Sequence, residues 1–254
     1  MLVLASIFWA GNFIVGKFAF VESISPFSLV FFRWITVWLI LLPFTYKEIL
    51  NKKKEILNNL PLLLFLGLTS VGLFNSFVYV SLQYTQVINA SLFNTAIPAA
   101  IILSCFIFKI EKTNLYQLLG LLISVLGILV IITKFNLNIL LNLDFNIGDI
   151  WMIGAVICWG LYSSFLKKLK LKISLLSFVH IVCSCGLIFL LPQFSYEYFQ
   201  GNAAAIDKTF IYCLIYLALF PSIGSYYCWA GAVSIIGPNR SGIFLSLIPL
   251  FSTF

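Results

Sequence analysis

The sequence predicts an all-α polytopic membrane protein with inverted repeats of five transmembrane helices, ten in the full fold and about nine present here. Hydrophobic residues make up 62% of the chain, charged residues make up 9%, and the mean hydropathy is +1.09. Soluble domains carry roughly 25% charged residues. The apolar residues also fall into runs of about 20, the length of helix that crosses a bilayer.

The predicted spans follow one another with short polar loops between them. They cover residues 2–20, 27–46, 60–82, 87–108, 115–133, 149–166, 173–192, 209–232 and 238–254. The first five spans form the first repeat, residues 1–133. An asparagine-rich stretch, residues 134–148, is predicted to be an extracytoplasmic linker. The second repeat, residues 149–254, contains four spans, so the sequence is expected to be truncated before the fifth helix of that repeat.

The lysines predict the orientation of the chain in the membrane. The loops after the second, fourth and sixth spans carry Lys47, Lys52, Lys53, Lys54, Lys109, Lys112, Lys167, Lys168, Lys170 and Lys172. Cytoplasmic loops are enriched in Lys and Arg, so these loops and the N-terminus are expected in the cytoplasm. The composition suggests an AT-rich bacterial genome and therefore the cytoplasmic (inner) membrane. A nucleic-acid partner is not indicated, because the basic residues lie mainly in the loops between spans and do not cluster with aromatic residues on a soluble face.

Several polar side chains lie inside the first three predicted spans. Trp9 and Asn12 share one side of the first span, and Asn75 and Tyr79 share a face of the third. An amide facing lipid would lack a hydrogen-bond partner, so these faces are expected to point inward. Arg33 lies about a third of the way into the second span. Such an arginine either faces a cavity or partner, or extends outward to the interface.

The fourth predicted span contains Pro98. A proline inside a helix removes one backbone hydrogen bond, and in hydrocarbon the freed carbonyl needs a partner from a neighbouring helix or a wet cavity. Asn94 lies on the same helical face, one turn earlier. This polar face indicates either a solute pathway or a line of polar contacts between helices.

The two halves of the chain share short motifs. The tripeptide that begins at Trp9 is echoed by the one that begins at Trp159, and residues 89–98 are echoed by residues 240–249, with Pro98 and Pro249 in register. Five spans is an odd number, so the second half would enter the membrane in the opposite sense. Inverted repeats of this kind place the substrate site of a transporter near the midplane, where the repeats meet.

At these positions the chain resembles the EamA family of the drug/metabolite transporter superfamily. The matching segments are residues 8–13 with Gly16 and Lys17, residues 25–27 with residues 32–33, residues 90–111, and residues 117–120 with residues 126–127. The resemblance implies ten helices in two inverted repeats, cytoplasmic termini, and movement of small metabolites, often by export. The fourth-span motif of the family usually ends in Leu-Gly-Glu, whereas here Lys109 and Ile110 precede Glu111.

The predicted function is transport of small amphipathic solutes, such as amino acids, through a central cavity between the repeats. Aromatic rings would pack against the apolar part of such a solute, and amides would hydrogen-bond its polar ends. The residues expected to contact substrate are Trp9, Asn12, Asn75, Tyr79, Asn94, Trp159, Tyr162 and Tyr226. The Trp and Tyr side chains have the alternative of anchoring the protein at the membrane interface.

The predicted spans have no Asp or Glu in their interiors, which favours facilitated diffusion or exchange over proton coupling. Arg33 and His180 are the charged or titratable residues expected along the pathway, at similar depths in their repeats. The six cysteines show no CxxC pairing, and no metal or cofactor is expected.

An enzyme is disfavoured, because the spans offer neither a nucleophile with a base nor a metal cluster. The alternatives are a transporter-like sensor or assembly subunit without flux and a non-functional truncated fragment. The expected partners are a small-molecule substrate and the lipid bilayer, and homodimer formation stays open.

Overall fold

The computed structural model describes residues 1–21, 24–112, 114–133, 146–202 and 206–252, and all regular structure in these ranges is helical. The helices are α1 (Leu2–Val21), α2 (Pro26–Asn51), α3 (Lys53–Asn58), α4 (Leu60–Tyr84), α5 (87–107), α6 (Leu115–Thr133), α7 (Ile147–Leu166), α8 (Leu175–Phe199), α9 (Lys208–Ile236) and α10 (238–252). Seven of the described helices are long and apolar enough to cross a membrane. The prediction of an all-α polytopic membrane protein is therefore confirmed.

The predicted spans of residues 115–133 and 238–254 coincide with α6 and α10, which are not among those seven. The count of nine spans and the division into five-helix repeats therefore stay predictions. Most of the predicted linker, residues 134–145, lies outside the described residues.

Two of the longest helices, α4 and α9, contain seven-residue segments of wider π-helical winding. These segments are Leu68–Phe74 and Ala218–Gly224, and they lie about 150 residues apart in the chain. In a π turn the backbone bonds run from residue i to residue i+5, and such turns often occur at functional sites. Both segments lie against the polar centre of the protein, as shown below.

Helices α5 and α10 each contain a tighter 3₁₀ segment just before a proline. The segments are Asn94–Ala96 before Pro98 and Ile243–Ser246 before Pro249. The carbonyl that Pro98 leaves without its α-helical partner belongs to Asn94, and it accepts the N–H of Ile97 instead. The expectation that this carbonyl would need a neighbouring helix or a wet cavity is therefore wrong, because a local 3₁₀ turn supplies the bond.

The main helix contacts join the two halves of the sequence. Helix α2 packs along α8, α7 packs on α4 and α5, and α1 packs on α9 and α10. Large apolar side chains such as Phe44, Leu39 and Phe199 remain exposed on the outside of these helices. Exposing such large apolar side chains to water is unfavourable, so this surface is typical of one that faces lipid.

Helices α2 and α8 are held together at both ends by carboxylates that accept bonds from the first turn of the partner helix. Glu197, near the end of α8, accepts from Ser25 Oγ at 2.8 Å, Ser28 N at 2.6 Å and Ser28 Oγ at 2.9 Å. Glu48, near the end of α2, accepts from Ser174 N at 2.8 Å and from the hydroxyls of Ser174 and Ser177, each at 2.5 Å. We call these two arrangements the reciprocal caps. They require α2 and α8 to run antiparallel.

Candidate functional site

A buried arginine lies at the centre of the polar contacts between the helices. Arg33 of α2 is 1% exposed, so its guanidinium faces inward and does not extend to the interface. Its Nε donates to Ser222 Oγ at 2.6 Å, and its Nη1 donates to Asn12 Oδ1 at 2.8 Å, Asn75 Oδ1 at 3.1 Å and Tyr79 OH at 2.9 Å. We call these five residues the arginine cluster. Three of its members, Asn12, Asn75 and Tyr79, were predicted as substrate contacts.

The π segments supply polar atoms to the arginine cluster. Ser222 belongs to the π segment of α9. Ser70 belongs to the π segment of α4, and its carbonyl accepts from Asn75 Nδ2 at 2.7 Å and from Tyr226 OH at 2.9 Å. The wider winding shifts the bonding pattern of the backbone, so a carbonyl in this turn is available to side chains. The two π segments thus hold the arginine cluster from opposite halves of the chain.

Four of the predicted contact residues form a second group beside the first. Trp9, Trp159, Tyr162 and Tyr226, together with Trp229, make up what we call the aromatic cluster. The ring centroids of Trp9 and Trp159 lie 5.1 Å apart with an interplanar angle of 81°, and Trp159 lies 5.4 Å from Tyr226 and 6.0 Å from Trp229. Edge-to-face contacts of this kind are the favoured arrangement of aromatic rings. Residues of α1, α7 and α9 therefore meet at one place.

Tyr226 connects the two clusters. Its hydroxyl accepts from Asn75 Nδ2 at 3.3 Å, and its ring lies 5.0 Å from that of Trp34. The Trp34 ring lies 5.3 Å from the Arg33 guanidinium carbon. The polar and aromatic clusters therefore form one continuous buried region.

Several polar atoms in this region have no hydrogen-bond partner among the described residues. They are the indole nitrogens of Trp34, Trp159 and Trp229 and the hydroxyl of Tyr162. The indole nitrogen of Trp9, in contrast, donates to Pro221 O at 3.2 Å. Buried polar groups in folded proteins are almost always paired. Three of these unpaired groups belong to the aromatic cluster, and the fourth, that of Trp34, lies beside it against Tyr226, so the region offers free hydrogen-bonding groups to a ligand.

The other predicted site residues lie apart from these clusters. Asn94 is buried with its amide nitrogen unpaired, and no described hydrogen bond or ring contact joins it to either cluster. His180 hydrogen-bonds through Nδ1 to Thr45 and packs edge-on against Trp38 at 5.5 Å. It is therefore part of the α2–α8 contact and not of the arginine cluster.

Four cavities open elsewhere on the molecule. The largest of these four, of about 710 Å³, is lined by residues near the start of α2 and the end of α8, including Glu197, and by Trp151 of α7. Another, of about 380 Å³, is lined by Pro98 and by parts of α6 and α10. None of these four cavities is lined by the eight predicted substrate contacts, all of which are at most 5% exposed. In this conformation the seven predicted contact residues of the two clusters pack on one another.

Sequence reasoning missed Ser222, Trp34 and Trp229. The separation of about 150 residues that relates Trp9 to Trp159 also relates Tyr79 to Trp229, so extending the repeat comparison to α9 would have pointed to Trp229. Trp34 and Ser222 carry no comparable signal. Their roles depend on how α2 and the π segment of α9 meet in three dimensions.

The sequence profile of the EamA-like transporter family matches two stretches of the chain, residues 1–133 and 146–254. The chain belongs to the EamA-like transporter family. The protein is 28% identical to an uncharacterized transporter of Archaeoglobus fulgidus over 99% of this chain and 85% of that protein. It is 26% identical to the uncharacterized transporter YyaM of Bacillus subtilis over 98% of this chain and 82% of that protein.

A WAT1-related protein of Arabidopsis thaliana is 25% identical over 96% of this chain and 73% of its own length. These likenesses extend along nearly the whole of this EamA-like chain. They support a general role in transport without identifying a solute.

The acidic residue that the EamA resemblance places after the fourth span is well anchored. Glu111 forms an ion pair with Lys167 at the end of α7, and it accepts the N–H of Asn239 in the first turn of α10 at 3.4 Å. Although the residues just before Glu111 depart from the usual motif of the EamA family, its carboxylate ties together the ends of three helices.

Proposed function

We propose that this EamA-like protein carries small organic solutes, such as amino acids, across a membrane along a path between two inverted halves. Seven of the eight predicted contact residues lie in the arginine and aromatic clusters, which form the centre of the solute-binding region, and Asn94 lies apart from them. The family assignment supports the general role of transporter. The solute class and the path rest on the arguments that follow.

Matching features in the two sequence halves support the inverted-repeat arrangement. The π segments of α4 and α9, the pre-proline 3₁₀ segments of α5 and α10, and the tryptophans Trp9 and Trp159 each recur after about 150 residues. The reciprocal caps add two further matches, because the Ser-x-x-Ser motif and the capping glutamate of the first half also recur about 150 residues later. Since these caps make α2 and α8 antiparallel, they support halves that cross the membrane in opposite senses.

The observation that carries the proposal is the arginine cluster between the halves. An arginine inside a membrane domain is costly unless it lies in a pathway or has partners, and such residues mark substrate routes in transporters. Arg33 takes polar partners from α1, α4 and α9, so it lies where the two halves meet. Because the clusters are packed shut in this conformation, passage requires the halves to move apart on one side at a time.

The surroundings of His180 do not favour a role in proton coupling, because its side chain is buried away from the proposed path. Its ring is 2% exposed and is held by Thr45 and Trp38. We therefore propose facilitated diffusion or exchange. A flux that depends strongly on a pH gradient, and loses this dependence in His180→Ala, would overturn that mechanism.

The test is solute flux into proteoliposomes that contain the purified protein, with a panel of radiolabelled amino acids and related organic acids and amines. Saturable uptake of at least one solute is expected. Asn75→Ala should reduce that uptake by about 10-fold, because it removes a partner of both Arg33 and Tyr226. The exposed variant Leu39→Ala serves as the control, since its side chain lies on the outside of α2.

A sensor or assembly subunit with the same fold is the alternative. Such a protein would bind solute, seen as a rise in melting temperature, without any saturable flux. Binding together with flux supports the transporter, whereas binding without flux supports the sensor.

A further inference from the structure

The guanidinium of Arg33 has more N–H groups than its described partners accept from. A guanidinium has five N–H groups, accepts no bond, and does not lose its charge in proteins. The bonds of Arg33 come from Nε and Nη1, and its Nη2 donates to none of the described residues. At least one end of the guanidinium therefore lacks a partner among the described residues.

The charge of Arg33 also lacks a counterion among the described residues. Its four partners are an alcohol, two amides and a phenol, all of them neutral. The ion pairs of the described chain are Lys52 with Glu55 and Lys167 with Glu111. The described carboxylates Glu48 and Glu197 are occupied in the reciprocal caps. A buried positive charge is thus stabilised by hydrogen bonds and not by a negative charge.

The unpaired indole groups of Trp34 and of the aromatic cluster point to the same chemistry. The indole N–H groups of Trp34, Trp159 and Trp229 can donate but cannot accept, and each is buried without a partner in the described chain. Trp34 lies against the guanidinium, and Trp159 and Trp229 are in ring contact with each other. A ligand that satisfies these groups has to bring acceptor atoms, and a ligand that balances Arg33 has to bring negative charge.

We propose that the clusters recognise a carboxylate, so that the solutes of this protein are small organic acids with an apolar body. The carboxylate pairs with the free side of Arg33 and accepts from neighbouring indole N–H groups, while the rings of Trp9, Trp159 and Tyr226 pack against the apolar body. An ammonium group is not required, because the described residues of the clusters offer it no carboxylate. This inference rests on the proposed transport function and narrows its solute class.

The test compares matched ligands that differ in one functional group. The carboxylates are 3-phenylpropionate and 4-methylpentanoate, and each is paired with its primary amide and with the amine of equal length. Binding to the detergent-solubilised full chain is measured by isothermal titration calorimetry at pH 7. At least one carboxylate should bind about 10-fold or more tightly than its amide and its amine.

Variants assign this preference to the clusters. Arg33→Gln should remove the advantage of the carboxylate over its amide, and Arg33→Lys, which keeps the charge, should retain part of it. If Arg33→Gln does not fold, Trp159→Phe and Trp34→Phe take its place. Each of these removes one unpaired N–H but keeps a ring, and each should weaken carboxylate binding about 3- to 10-fold. The matched control is Trp151→Phe, which should leave binding unchanged, because the indole of Trp151 packs on Phe77 beside the cavity near Glu197 and away from both clusters.

Equal binding of carboxylate, amide and amine would overturn the inference, as would the absence of binding by both carboxylates up to millimolar concentration. Proteoliposome flux of the same ligands separates this result from the transport function. If the carboxylate binds through Arg33 but no flux occurs, the transport proposal fails and the carboxylate site stands. If amides or amines are carried as well as the acids, transport stands and the carboxylate site fails.

Discussion

At the scale of single residues, the orientation of Arg33 is set by hydrogen-bond partners that come from three other helices. The sequence places Arg33 inside the second predicted span. The rule that polar groups avoid lipid predicts that Asn12, Asn75 and Tyr79 point inward. The structure brings all four together through hydrogen bonds. The sequence left open whether Arg33 turns inward or toward the interface, because that choice depends on Ser222, which lies 189 residues away in the chain.

A second residue-scale feature is the turn between α9 and α10. Gly237 has φ +82° and ψ 162°, a conformation that residues with a side chain avoid, and a Cβ there would collide with the Glu111 carboxylate beside Lys167. Gly237→Ala is expected to lower the free energy of unfolding by about 1–3 kcal/mol from backbone strain, with more from the collision. The measurement is the melting temperature in detergent.

Gly201→Ala is the matched control for this turn. Gly201 also has a positive φ, of 75°, but a Cβ there meets no described atom within 4 Å. It should therefore cost less than Gly237→Ala. Equal losses in the two variants would show that the packing of Glu111 against the turn contributes nothing.

At the scale of helices, the sequence located every described helix except α3, but not their winding or their ends. Helix α8 was predicted to end at residue 192 but continues to Phe199, with Pro192 inside it. Counting apolar residues detects the part of a helix that lies in lipid, and it misses the polar turns beyond. The π and 3₁₀ segments were also not predicted, because the hydrophobic pattern hardly changes when the winding changes locally.

The reciprocal caps lead to a prediction about the α2–α8 pair. Glu48→Gln and Glu197→Gln each replace charge-assisted hydrogen bonds with neutral ones, and each should lower the free energy of unfolding by about 1–3 kcal/mol. The caps lie about 30 Å apart along α2, so the losses in the double variant should add to within about 0.5 kcal/mol. Chemical denaturation in detergent micelles measures all three variants.

The control for the caps is Glu55→Gln. Glu55 pairs with Lys52 on the surface, and such exposed pairs contribute about 0–1 kcal/mol. If the double variant is no less stable than either single variant, the two caps do not act independently. The proposal that each cap stabilises the α2–α8 pair separately would then be wrong.

At the scale of the whole molecule, the prediction of orientation is open to a direct test. The lysine-rich loops are expected in the cytoplasm, and the antiparallel α2–α8 pair then places the end of α8 outside. Lys53→Cys and Gln200→Cys introduce thiols at exposed positions after α2 and after α8. In intact cells, a membrane-impermeant maleimide should label Gln200→Cys strongly. It should label Lys53→Cys only after the cells are opened.

The wild-type chain provides the background for this labelling, since five of its six cysteines are buried and Cys228 is partly buried. The reverse labelling pattern would invert the proposed orientation. Labelling of both variants in intact cells would contradict a single orientation altogether.

The arginine cluster also bears on how the chain is made. Arg33 precedes Asn75 and Tyr79 in synthesis by 42 and 46 residues, and its bond to Ser222 forms only when α9 exists. The newly inserted α2 must therefore hold a positive charge in the bilayer while its later partners are still inside the ribosome. Among the described partners of Arg33, Asn12 alone precedes it in the chain, so Asn12 is the first group that can accept a hydrogen bond from the new guanidinium.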